Sequence, residues 1–202
     1  MSKGLFRIIL ILLLGAGLFL GWQAWRDWNR SGDPATVVAA SLQGLQEQNI
    51  LVPFTARYVA VVTSSQSRLG FAAKKTLIMP GTVRYELDLA ALKPKDLQWD
   101  AEQERLDILL PPLRLAGPEI DLNSISEFRD GLILLTLTDA EKNLDSANRK
   151  AAQEELIRQA RGDTPMRLAQ NAARAAIEQS FAMPLKAAGI EAKVNASFRS
   201  AL

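Results

Sequence analysis

Apolar positions fall into three unlike stretches along the chain. From Ile8 to Trp22 the sequence reads IILILLLGAGLFLGW, with no charge and no strongly polar residue. After Gln48 apolar and polar residues alternate in short runs, the period of half-buried strands. After Thr138 apolar residues recur every three or four positions in an Ala-rich background, the period of helices.

The first stretch predicts a membrane anchor. Residues 4–22 make ~28 Å of helix at about 1.5 Å per residue, close to a hydrocarbon core of about 30 Å once Arg7 snorkels to the headgroups. Trp22, Trp25 and Trp28 then form an aromatic belt at one interface. A cleaved secretory leader would need small residues at an A-x-A-like site. Ala24, with the bulky Trp22 two before it, does not supply one. The basic N-terminus ahead of the apolar run has the order of a signal-anchor. That order places the N-terminus inside and the rest outside the membrane, which in a Gram-negative cell would be the periplasm.

Residues 31–50 read as a linker and juxtamembrane helix, a spacer or lid near the bilayer. Asp33 serves as N-cap, Pro34 as first helical residue and Asn49 as terminator. Residues 51–202 read as the folded domain. Strands are expected at Thr55–Thr63, Phe71–Met79, Val83–Leu89, Leu97–Trp99, Leu106–Leu110 and Leu132–Leu137. Turns are expected at Ser64–Ser67 and Pro80-Gly81, with a break around Pro94 and a stop at Pro111-Pro112. A charged helix follows over Asp139–Gly162. A second begins at Thr164-Pro165, loosens at Pro184 and ends with Gly189 at C′. Ile190, Ala192, Val194, Ala196 and Phe198 alternate as a closing strand. The fold expected is therefore α+β: a single-pass N-terminal helix, a mainly antiparallel sheet, C-terminal Ala-rich helices and a last strand.

Composition narrows the chemistry. The chain has no His and no Cys, which removes thiol nucleophiles, imidazole triads, disulfides and zinc sites built on those ligands. Lys3, Arg7, Arg26 and Arg30 against Asp27 give residues 1–30 a balance of +3, while the remaining 20 basic and 21 acidic residues nearly cancel. The pI near 9.0 thus belongs to the anchor flanks, and no basic run suited to nucleic acid exists.

Several segments taken in order carry a resemblance. They are YVAVV at Tyr58–Val62, GTVRYELDL at Gly81–Leu89, LDILLPPLRL at Leu106–Leu115, EIDL at Glu119–Leu122, AQNAARAAIE at Ala169–Glu178 and GIEAKVNASF at Gly189–Phe198. Over roughly residues 51–198 the chain resembles the bacterial domain of unknown function family 4230. The resemblance implies a short membrane-anchored protein and no established activity. A family pattern with Gly ahead of Leu87-Asp88 is replaced here by Arg84-Tyr85-Glu86, so the local turn geometry is expected to differ.

Asp88 and Asp121 are the leading polar candidates, each in an apolar context and each within a family segment. A carboxylate pair could do acid–base work on a polysaccharide or bind a cation; Asp at a strand end also simply accepts backbone N–H groups, and that structural role is the expectation. Ser64, Ser65 and Ser67 with Lys74 and Lys75 could form a His-free Ser–Lys pair. No Gly-rich phosphate loop is present. No catalytic residue, metal or cofactor is assigned. Helix 139–162 carries many charges, and such a face is usually just solvated; the sharper alternative is a surface for a protein partner or self-association. The function expected is an extracytoplasmic interaction or scaffold domain of the envelope. The alternatives are an envelope hydrolase using Asp/Glu or Ser–Lys chemistry, and a carrier whose apolar ligand would need a cavity of several hundred Å3.

Overall fold

The computed structural model describes residues 15–22, 32–68, 71–130 and 140–199. Residues 15–22 are helical. Among the described residues no helix is long and apolar enough to cross a membrane. Most of the expected anchor, with Arg7, Trp25 and Trp28, lies outside them; Trp22 lies within and is exposed.

Helix α1 spans Pro34–Gln48, with the Asp33 carboxylate accepting from the Ala35 N–H at 3.3 Å and the Thr36 hydroxyl at 2.9 Å. Asn49, at φ 67°, ends it, a conformation Asn tolerates better than most residues. Rather than standing apart as a spacer, α1 buries Leu42 and Leu45 in the largest core, against Leu87, Phe181 and Leu185.

Strand β1 (Ile50–Arg68) and strand β2 (Phe71–Asp88) form a long antiparallel ribbon. Neither expected turn exists. Ser64–Ser67 pairs with Ala72–Lys75, and Pro80-Gly81 lies inside β2 opposite Val59 and Tyr58. The prolyl carbonyl accepts from the Asp121 N–H at 3.1 Å. A residue's N–H and C=O point to the same strand edge, so the donor Pro80 lacks would face that edge too. There the partner strand changes. Strand β6 (Ser126–Asp130) pairs with Lys74–Ile78, and strand β5 (Arg114–Ile120) with Gly81–Glu86. The proline thus falls in the gap between two partners, where no ladder bond is lost. Gly81 allows close approach of the helix above, since a Cβ there would stand 2.8 Å from Leu156 Cδ1. Arg84-Tyr85-Glu86 is mid-strand, so no turn forms there either.

A second sheet holds β3 (Leu97–Asp100), β4 (Arg105–Leu110) and β7 (Lys193–Phe198). The hairpin β3–β4 is antiparallel, but β7 lies parallel to β4. Parallel neighbours need a long crossover, which the C-terminal helices provide. The expected closing strand therefore completes this small sheet and not the main one. Its inward alternation holds: Ala196 is buried, and Val194 and Phe198 pack on the same core. The strand expected at Leu132–Leu137 lies outside the described residues, while β5 and β6 were not expected at all.

Helix α2 (Ala140–Ala160) lays Leu144, Asn148, Ala152, Leu156 and Ala160 on the inner face of the ribbon. This row has the i,i+4 spacing of one helical face. Helix α3 (Asp163–Ala187) is capped by Gly162, not Thr164, and buries Ala169, Ala173, Ile177, Phe181 and Leu185. Gly189, at φ 77°, closes it. Its N–H reaches the Lys186 carbonyl at 3.0 Å, and that of Ile190 reaches Leu185 at 2.9 Å. These are the two bonds of a Schellman motif. Strand β2 is the spine of the molecule. Leu77 and Met79 lie under α2, Val83 and Tyr85 under its junction with α3, and Leu87 packs with α1 and α3.

Candidate functional site

The two candidate aspartates stand apart. Asp88 ends β2, accepts from the Ala91 N–H at 3.2 Å and pairs with Arg114 at 3.1 Å. Asp121 follows β5 and meets Arg57 and the Ser124 hydroxyl, each at 2.8 Å. The Ser124 hydroxyl first, with Arg57 behind it, holds the Asp121 carboxyl below the ordinary carboxylate value. Arg114 and Ile120 bound β5, so the two aspartates lie roughly 20 Å apart at about 3.3 Å per residue. Glycosidic carboxylate pairs sit about 5–9.5 Å apart. Each Asp here has its own arginine, and the two do not converge.

The serine–lysine candidates are brought together, but with the wrong protonation. Ser64 sits directly opposite Lys75, and Ser65 opposite Lys74. The Lys75 side chain is buried at 1 % exposure between Glu127, at 2.9 Å, and Asp145 of α2. Burial is the strongest single influence on its pKa and lowers it. The hydrogen bonds and charges of Asp145 and Glu127 together outweigh burial and leave the pKa raised. A lysine acting as base beside serine must be neutral; this one is held as the ammonium. Asn148 closes the cluster by donating to the Lys75 carbonyl at 2.9 Å. Glu127, Asp145 and Asn148 are 52 or more positions from Lys75 in sequence, so only the fold assembles them.

Near that cluster the opposite face of the ribbon is open. Val59, Val61 and Phe128 are 48 %, 63 % and 61 % exposed. Val61 pairs with Ile78, and Thr76 stands between Thr63 and Phe128, so all share the outer face. The Thr63 and Thr76 hydroxyls bond across it at 2.9 Å. Arg57 with Asp121 borders it at one end, and Lys74 at the other. Among the described residues no strand pairs with the second edge of β1. Sequence reasoning missed this surface because the expected turns cut the ribbon in two. Among the described residues no group of acidic side chains is arranged to hold a metal.

No curated protein and no solved structure matches the chain. Residues 43–196, from within α1 into β7, match the family model described as Protein of unknown function (DUF4230), and the chain belongs to that family.

Proposed function

We propose that this protein is a single-pass bacterial inner-membrane protein, N-terminus inside, whose α+β domain works outside the cytoplasm as an interaction module of the envelope. The observation that carries the interaction reading is the open ribbon. An apolar strip of Val59, Val61, Ile78 and Phe128 lies beside a β1 edge that has no strand partner among the described residues, where Gln159 donates to the Val59 carbonyl at 3.2 Å. Contiguous exposed apolar surface rimmed by polar groups is characteristic of partner sites. An exposed strand edge recruits an extended segment through main-chain hydrogen bonds, while pockets for alternate side chains give specificity. The membrane reading rests on the apolar run Ile8–Trp22 and the tryptophans that follow it. Helix α2 offers a second surface, since Arg149, Lys150, Gln153, Glu154 and Arg158 face away from the sheet.

Two measurements test the reading. Alkaline phosphatase fused after Leu202 should be active; an inactive fusion beside an active cytoplasmic reporter overturns the topology. A photo-cross-linking residue at Val61 should give a discrete adduct in membranes. Phe128→Lys should remove it without lowering the melting temperature. An adduct that persists in Phe128→Lys and shifts instead with Glu154→Lys moves the partner site to α2.

A further inference from the structure

Helix α1 and the β3–β4 hairpin leave between them an apolar cavity of about 500 Å3. Leu42 and Leu106, both buried, form its floor, with Val38 and Trp99 among its walls. It is a half-open cleft, with Ala35, Ala39, Gln43 and Pro94 exposed along it. Its volume falls within the ~300–1,000 Å3 of small-molecule sites, which are clefts lined mostly by apolar side chains. Among the described residues no charged side chain lines it. Gln46, on the lining, is fixed by donating to the Leu92 carbonyl at 2.7 Å. Lys93 and Lys95, both exposed, flank the lining residue Pro94 and bring positive charge to that side. Helix α1 begins twelve residues after Trp22, which bounds its distance from the apolar run at roughly 40 Å.

We propose that this cavity takes one acyl chain of an anionic membrane lipid, with the tail against Leu42, Trp99 and Leu106 and the headgroup beside Lys93 and Lys95. The volume suits one hydrocarbon tail. The absence of charge from the lining fits an apolar guest, and the two lysines fit a negative headgroup. The choice of a bilayer as the source rests on the membrane reading above.

The test uses the full chain with Trp22, Trp25 and Trp28 replaced by Phe, which leaves Trp99 as the one indole of the four. It is reconstituted in phosphatidylglycerol vesicles whose acyl chains carry bromine, a contact quencher of indole. Trp99 should lose most of its emission relative to unbrominated vesicles. Ala39→Phe, which fills the cavity from α1, should restore it, and Ala35→Phe serves if Ala39→Phe melts early. Ala40→Phe, exposed and off the lining, should leave quenching intact. Equal quenching in the filled and unfilled proteins overturns the site. Equal quenching by brominated phosphatidylcholine overturns the assignment of the headgroup. Flotation of the same sample separates the two readings. Protein that floats without quenching overturns the acyl site and leaves the anchor standing. If the protein does not float, the membrane source is overturned, and brominated fatty acid in buffer then decides the cavity: quenching keeps an acyl site, and no quenching removes it.

Discussion

At the residue scale the most consequential side chain is Lys75, an ammonium sealed under α2 between two carboxylates. Its raised pKa fixes a sign. The stabilisation is fully present below the ordinary lysine value of 10.5 and is lost as pH rises through the higher folded value. Tyr85 acts the same way. Burial first, then its bond to the Tyr58 hydroxyl, raises its pKa, so its contribution fades above the ordinary 10.0. Denaturation of the protein at pH 7, 9 and 11 should show stability nearly flat to 9 and falling by 11. Lys75→Met should cost about 3 kcal/mol or less at pH 7, because Glu127 and Asp145 keep some contact with water. It should also remove part of the alkaline loss and leave the part due to Tyr85. An alkaline profile unchanged in Lys75→Met would show that the ammonium is not what pH acts on. Only strand parity hinted at this: Lys75 shares the parity of Leu77 and Met79 on the inward face of β2, whereas Lys74 has the other. Its partners Glu127 and Asp145, far off in sequence, left no local trace.

At the scale of elements the termini were legible and the long strands were not. Asp33-Pro34, Asn49 and Gly189 announce helix ends by local chemistry alone, and each does in the structure what that chemistry predicts. Pro80-Gly81 announces a turn by the same logic and misleads, because proline harms a strand only where its missing N–H faces a partner. The correcting signal was present. Leu77 and Met79 have the same parity as Val83, Tyr85, Leu87 and Leu89, so one inward face runs through the dipeptide. Strand β5 was hidden because Pro118 and Gly117, at φ 104°, break any alternating pattern. The alternation of the closing strand named the right face, but the phenylalanine that matters more is on α3. Phe181 is fully buried and Phe198 only half so. Phe181→Ala should cost about 3–5 kcal/mol, and Phe198→Ala clearly less. Equal losses in urea melts would mean that the end of β7 is packed more tightly than its exposure indicates.

For the whole molecule, the sequence suggests a tether, a spacer and a domain, whereas the structure welds the last two. Helix α1 shares its core with β2, β4, α3 and β7, and the Gly32 N–H meets the Ala188 carbonyl at 3.3 Å. A variant starting at Gly32 should therefore be soluble and melt cooperatively. One starting at Ile50 should expose Leu87, Phe181 and Leu185 and aggregate or melt far lower. If the two melt alike by calorimetry, α1 is a dispensable lid. The separation into two sheets could not be read in advance, since strand partners distant in sequence leave no local trace. Parallel pairing of β4 with β7 depends on where α3 sets the chain down.

The ribbon has a mechanical meaning. Strand β1 leaves α1 through Asn49 alone and continues for 19 residues, a rod of roughly 60 Å at about 3.3 Å per residue. Tension between Gly32 and a load gripping the far tip would travel along the covalent chain of β1, not across its ladder with β2. The sheet could bear that tension without unzipping. The part that yields first is α1, clamped by Leu42, Leu45 and the contact of Gly32 with Ala188. The ribbon is then a strut and α1 its fuse, so pulling would open the cavity under the helix before it deformed the strands.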